Sequence, residues 1–278
     1  VAAVLRGIGV APLAYDSGLF FTPGSVLNGR GAPYRVFTPF WRQVRRRLEQ
    51  ERAALDAAPT RPGAPAAAAV PDGAGEVADL GLLDAHPWHA RLAEHWSPGE
   101  AGARRRLAAF VDGPAARYDR ERDRPDLEGT SRLSPHFHFG ELTPAQVHAA
   151  LARALDGPAA PAAEAFLREL GWREFAAHTL WHFPALAERA LDPRFEDGGL
   201  WPGTPGHLEA WRRGRTGVAL VDAGMRELWR TGWMHNRVRM VAASFLTRNL
   251  GGHWREGARW FWETLVDADL ASNSLGWQ

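Results

Sequence analysis

The sequence contains no cysteine, which removes disulfides, thiolate chemistry, cysteine zinc sites and cysteine-bound iron–sulfur clusters from consideration. It also lacks lysine, so all 33 basic residues are arginine. The planar guanidinium suits phosphate, because it keeps its charge and makes paired hydrogen bonds, although a genome-wide codon preference accounts for the bias equally well. A net charge of +1 means that any basic surface must be a local patch. No apolar run reaches the 18 residues or so that a membrane span needs, and the first residues carry neither a basic start nor a cleavage site. A soluble, cytoplasmic protein is the expectation. With 45% hydrophobic residues over 278 positions, the chain can bury one large core or two smaller ones. Tryptophan is abundant, with 13 residues, most of them after residue 170. Large rings usually fill cores, but such a density also fits a protein that stacks planar ligands or moves electrons.

Residues 1–36 carry short apolar runs broken by turn signals at Pro23-Gly24, Asn28-Gly29 and Gly31, the pattern of a last strand and loops of an α/β unit. A helix is expected from Thr38-Pro39, as cap and first helical residue, to about Ala57. The stretch 58–79 is rich in Ala, Pro and Gly without apolar periodicity and is expected to be a flexible linker. Beyond it, Ser97-Pro98 and Thr143-Pro144 announce helices over 98–112 and 144–155, and a period near 3.6 marks helices over 162–182, 217–230, 235–249 and 255–265. No strand pattern or long repeat competes. The reading is therefore mainly α: a helical domain over 80–278 preceded, over 1–57, by the remnant of an α/β domain.

Four segments place polar, glycine or aromatic residues where a helical core has no need of them. Thr130, Ser131, Arg132, Leu133 and Ser134 lead hydroxyls and amides into a proline-started turn, a competent phosphate pocket, though a helix cap explains the hydroxyls as well. Glu169, Trp172 and Arg173 stand three or four apart, so an acceptor, a stacking plate and a phosphate clamp share one side of a helix, as a base extracted from DNA would require. An ordinary surface ion pair beside a core ring is the plainer alternative. Asn236, Arg237 and Arg239 crowd cations into the first turn of a helix, against its dipole, so anionic ligands or carboxylates are needed nearby. Asp267 and Asp269, before Ser272-Asn273, offer carboxylates, and a metal site is not expected there.

Taken in order, these motifs resemble the photolyase/cryptochrome family from about Thr22 to Gln278. PYRVFTPFWRQVRRRL is similar to the junction where that family's α/β, Rossmann-like antenna domain ends, and SRLSPHFHFGELTP to its flavin-holding turn; ELGWREF, TGWMHNRVRM and DADLASNSLGWQ complete the helical flavin domain. The resemblance implies FAD in a folded shape, catalytic as the fully reduced anion. It implies that Tyr118 and Thr130, Ser131, Arg132, Leu133 and Ser134 hold phosphates and ribose, that Asp267, Ala268 and Asp269 lie beside the ribityl chain and ring, that Arg239 pairs with Asp267, and that Asn273 faces the flavin N5. For a pyrimidine dimer in DNA it implies Glu169 on the base edge, Trp172 packed on the flipped dimer, Asn236 and Met240 on the pocket floor, and Arg173 and Arg237 on phosphates. Trp277, Trp254 and Trp201 match the three tryptophans that pass electrons to the flavin. An asparagine at 273 goes with repair enzymes, and His235 followed by Asn236 favours the cyclobutane dimer as substrate. The expected protein is a monomeric cyclobutane-dimer photolyase with no assignable antenna chromophore, in a chain whose ends read as those of a fragment; a signalling cryptochrome is the alternative.

Overall fold

The computed structural model describes residues 6–7, 18–51, 75–82, 87–155 and 157–278. Its helices are α1 (Phe37–Gln50), α2 (Trp88–Ala93), α3 (Glu100–Asp112), α4 (Tyr118–Glu121), α5 (Ser134–His138), α6 (Pro144–Ala154), α7 (Ala160–His182), α8 (Pro205–Arg212), α9 (Ala219–Thr231), α10 (Asn236–Ser244), α11 (Trp254–Thr264) and α12 (Leu270–Gly276). A π-helical turn, Phe245–Asn249, continues α10, so the expected element over 235–249 is one rod with a widened end. Among the described residues no helix is long and apolar enough to cross a membrane.

Two hydrophobic clusters hold the molecule together. In the first, Phe37, Phe40, Trp41, Val44 and Leu48 form the buried stripe of α1, spaced as one helix face, and meet Phe166, Leu170 and Phe175 of α7. In the second, Trp211, Val221, Met225, Leu228, Met234, Val238, Leu246 and Phe261 join α8 to α11. α12 packs on α7 and Leu275 reaches the first cluster, while the neighbouring Trp277 reaches the second. The 23-residue α7 is the spine, about 35 Å long at 1.5 Å per residue. Gly171 at its middle is required by packing: a Cβ there would overlap the Trp41 ring.

Two expected helix starts need correction. Thr38 is not the cap of α1; the helix begins at Phe37 with Val36 as an N-cap lacking a side-chain bond, because Phe37 must be helical to bury its ring. Ser97 likewise gives way to Gly99 at the start of α3. The α/β remnant shows no strand among the described residues: 18–36 make turns and one isolated antiparallel bridge, Leu27 to Pro33. Asn28 Oδ1 accepts from the amides of Arg30 and Ala32, and Pro33 has no N–H with which to extend a ladder. Most of the expected linker, 58–74, and the end of the first expected helix, 52–57, lie outside the described residues. By contrast, Thr143 caps α6 as read, with Gln146 closing a capping box.

Candidate functional site

One face of α7 is the wall of a cavity of about 1030 Å³. Glu169, Trp172 and Arg173 all line it, as their spacing predicts, together with Phe166 and Ala176 from the same helix. The opposite walls come from Tyr118 on α4, from Thr130 to Ser134 ahead of and at the start of α5, from Asn236, Arg237, Arg239 and Met240 on α10, and from Asp267 and Asp269 before α12. Segments distant in sequence thus converge on a single opening.

The first turn of α10 explains its own charges. Gly232 ends α9 in the left-handed conformation at φ 68°, which turns the chain sharply into Trp233 and Met234. His235 Nδ1 then caps α10 by accepting from the Arg237 amide at 3.1 Å, and burial holds the His235 imidazole below its ordinary pKa. The two arginines next to this positive helix end each find a carboxylate. Arg239 donates to Asp267 Oδ2 at 2.8 Å and to the Met234 carbonyl at 2.8 Å. Arg237 donates to both oxygens of Asp123, at 2.6 and 3.1 Å.

Asp267 is buried, and its second oxygen, Oδ1, has no hydrogen-bond partner. A buried, unsatisfied carboxylate oxygen in a cavity wall is costly unless a ligand donor meets it. Across the cavity, Arg132 adopts φ 52°, a strained setting for a side chain that large; it lies 4.7 Å over the Trp233 ring. Ser131 Oγ accepts from the Leu133 amide at 3.3 Å. Asp269 caps α12 through Ser272. The cavity therefore offers arginines and hydroxyls for an anionic part, an unsatisfied acceptor for a donor group, and room for a large cofactor. These residues fit a flavin dinucleotide.

The residues expected to meet a base form the rim. Trp172 is 42% exposed and stacks on Phe37 with centroids 3.7 Å apart and planes 7° from parallel. Glu169 is partly buried and pairs with Arg122 at 2.7 Å. Tyr118 lies beneath it, and burial, reinforced by the Glu169 charge, pushes the phenol pKa up. Asn236 and Met240 are exposed, and the Met240 sulfur accepts from Arg237 at 3.4 Å. Arg173 lines the cavity but donates to the Gly18 carbonyl, which ties it to the N-terminal segment.

Five expected residues lie off the cavity lining. Ala268 sits between the two aspartates, its amide on the Leu265 carbonyl. Asn273 donates to the Ala258 carbonyl at 2.9 Å and accepts from the Trp277 indole at 3.0 Å. Trp201 and Trp254 are bridged by His253, with ring separations of 5.0 and 5.9 Å. Sequence reasoning missed Arg122, Asp123 and Phe37. The alternating charges after Tyr118 were the only signal for the first two. Among the described residues no cluster could hold a metal ion.

Residues 166–278 match a family profile described as the FAD binding domain of DNA photolyase. A deoxyribodipyrimidine photo-lyase of Agrobacterium fabrum is 40% identical over 275 residues, covering 99% of this chain and 56% of that protein. Cryptochrome-1 of Arabidopsis thaliana is 35% identical over 286 residues, covering 99% of this chain and 41% of its own length. Among solved structures, a bacterial class III photolyase from Agrobacterium tumefaciens superposes with a TM-score of 0.81 at 37% identity, covering 99% of this chain and 56% of that one. The chain spans about half the length of the curated photo-lyase relatives it matches.

Proposed function

Since this chain belongs to the family built on the FAD-binding domain of DNA photolyase, we propose that it is a light-driven DNA repair enzyme, a deoxyribodipyrimidine photo-lyase acting on cyclobutane pyrimidine dimers as a monomer. The observation that carries the reading is the junction of two chemistries in one cavity: the unsatisfied Asp267 carboxylate with the arginines and hydroxyls around it, and a rim bearing Glu169, Trp172 and Asn236. FAD, when bound and fully reduced, supplies the light-driven electron that splits the dimer.

The chain's own residues do the rest. Arg132 and the hydroxyls of Thr130, Ser131 and Ser134 would hold the cofactor's anionic part, while Asp267, fixed by Arg239, would offer its free oxygen as an acceptor to a donor of the cofactor. Trp172, propped by Phe37, receives one face of an extruded pyrimidine pair, and Glu169, oriented by Arg122, accepts a hydrogen bond from the base edge. Extrusion costs least where the lesion has already weakened stacking. Arg237 and Arg173 stand at the rim for phosphates on either side, and Asn273 orients the inner end of the Trp277, Trp254, Trp201 series.

The test uses the purified chain with FAD: an absorption spectrum, then blue light on a duplex containing one thymine dimer, with the dimer scored by resistance to cleavage. A flavin spectrum and light-dependent restoration are expected. Flavin binding without repair would shift the reading to a cryptochrome-type photoreceptor, the direction in which the similarity to Cryptochrome-1 points.

A further inference from the structure

The cations at the rim are not bare. Arg237 offers Nε and Nη2 to both oxygens of Asp123, the same fork with which a guanidinium takes a phosphate. Arg122 Nε lies 3.5 Å from that carboxylate as well. Asp123 and Arg237 are 53% and 40% exposed, so their pairing contributes little to holding the fold together. Asp123 is also absent from the cavity wall that Arg237 lines; it approaches the fork from outside. The bond to Arg237 keeps its carboxyl below the ordinary range, and it stays ionised at neutral pH.

We propose that Asp123 is an internal competitor of the DNA backbone: it occupies the Arg237 fork in the free protein and takes the fork back from a phosphate as DNA leaves. The proposal rests on the reading of Arg237 as a phosphate contact. A residue that must be displaced on binding lowers affinity for every duplex, damaged or not, and the same carboxylate returning to the fork speeds dissociation. For a repair enzyme this separates recognition from grip. The cavity selects the lesion, and Asp123 limits how long the protein stays on a strand whose base pair has been restored.

Binding of two labelled duplexes, one with a single thymine dimer and one undamaged, is measured by fluorescence anisotropy over a salt series, and dissociation by competition with unlabelled duplex. The proteins are the unmodified chain, Asp123→Asn, Arg237→Gln and the double variant. Asp123→Asn is expected to bind both duplexes roughly threefold or more tighter and leave them more slowly, with a logarithmic salt slope steeper by up to about 0.9. Arg237→Gln is expected to flatten the slope by about 0.9, and in its background Asp123→Asn is expected to do nothing. If Asp123→Asn leaves affinity and dissociation unchanged, or if its effect persists without Arg237 and is therefore a general charge effect, the competitor proposal is overturned. Unchanged binding by Arg237→Gln overturns instead the phosphate reading beneath it.

Discussion

Trp254 is buried, yet its indole N–H meets no acceptor. The fold therefore uses the ring as a packing body and makes no use of its one polar group, whereas Trp211 donates to the Ala242 carbonyl and Trp277 to Asn273. Replacing Trp254 by phenylalanine removes volume but breaks no hydrogen bond, and is expected to cost about 1–2 kcal/mol of stability. If Trp254 relays electrons toward the flavin, Trp254→Phe is also expected to abolish photoreduction by an external donor while flavin reduced beforehand with dithionite still supports repair. Photoreduction at the unmodified rate, followed by flavin absorbance, would reduce Trp254 to a core ring. At this scale the sequence was most legible where the family resemblance and the packing agree: the resemblance pairs Arg239 with Asp267, and the structure joins them. Arg122 and Asp123 were not legible, because in Asp119-Arg120-Glu121-Arg122-Asp123-Arg124 charge alone cannot choose which two residues the turn after Tyr118 directs to the rim.

Among the elements, α7 carries the most constraint, since it buries one side against α1 and offers another to the cavity. Its hydrophobic pattern placed it well, over 162–182 against the observed Ala160–His182, because a long helix buried along much of its length repeats its signal many times. Shorter elements were harder. Thr143 was read correctly because side-chain and backbone bonds close on each other locally, but Thr38 lost its expected role to a tertiary demand, the stacking of Phe37 on Trp172. Gly171 gives this element a sharp test. In an open helix, alanine in place of glycine stabilises by roughly 1 kcal/mol. Here the added methyl meets the buried Trp41 ring, so Gly171→Ala is expected to destabilise by about 1–3 kcal/mol, read as a lowered urea midpoint. A gain in stability would mean that α1 shifts freely on α7.

For the whole molecule, the response to acid follows from histidines kept neutral inside it. Burial depresses the pKa of His178, His235 and His253 below the ordinary 6.5. His178 Nε2 stands 3.2 Å from both the amide and the carbonyl of Tyr34, and burial rather than that contact is what holds its pKa down. The unfolded chain takes up these protons as pH falls below 6.5 and the native chain resists, so stability is full above that pH and declines below it, by at most about 1.4 kcal/mol per pH unit for each histidine. Urea unfolding at pH 8 and pH 5.5 is expected to show the decline, and His178→Gln, which keeps an acceptor but does not titrate, to make it shallower. An equal decline in that variant would assign the effect elsewhere. The contacts of α7 with the segment before α1 have a mechanical side too. Buried Glu174 accepts from the amides of Phe20 and Phe21 at 3.2 and 2.9 Å, one residue from Arg173 on Gly18 and two from the stacked Trp172. Three consecutive side chains of one rod thus hold Gly18, Phe20, Phe21 and Phe37, so a displacement of the Gly18–Phe21 segment is delivered directly to the wall against which, in the proposed function, a base would rest.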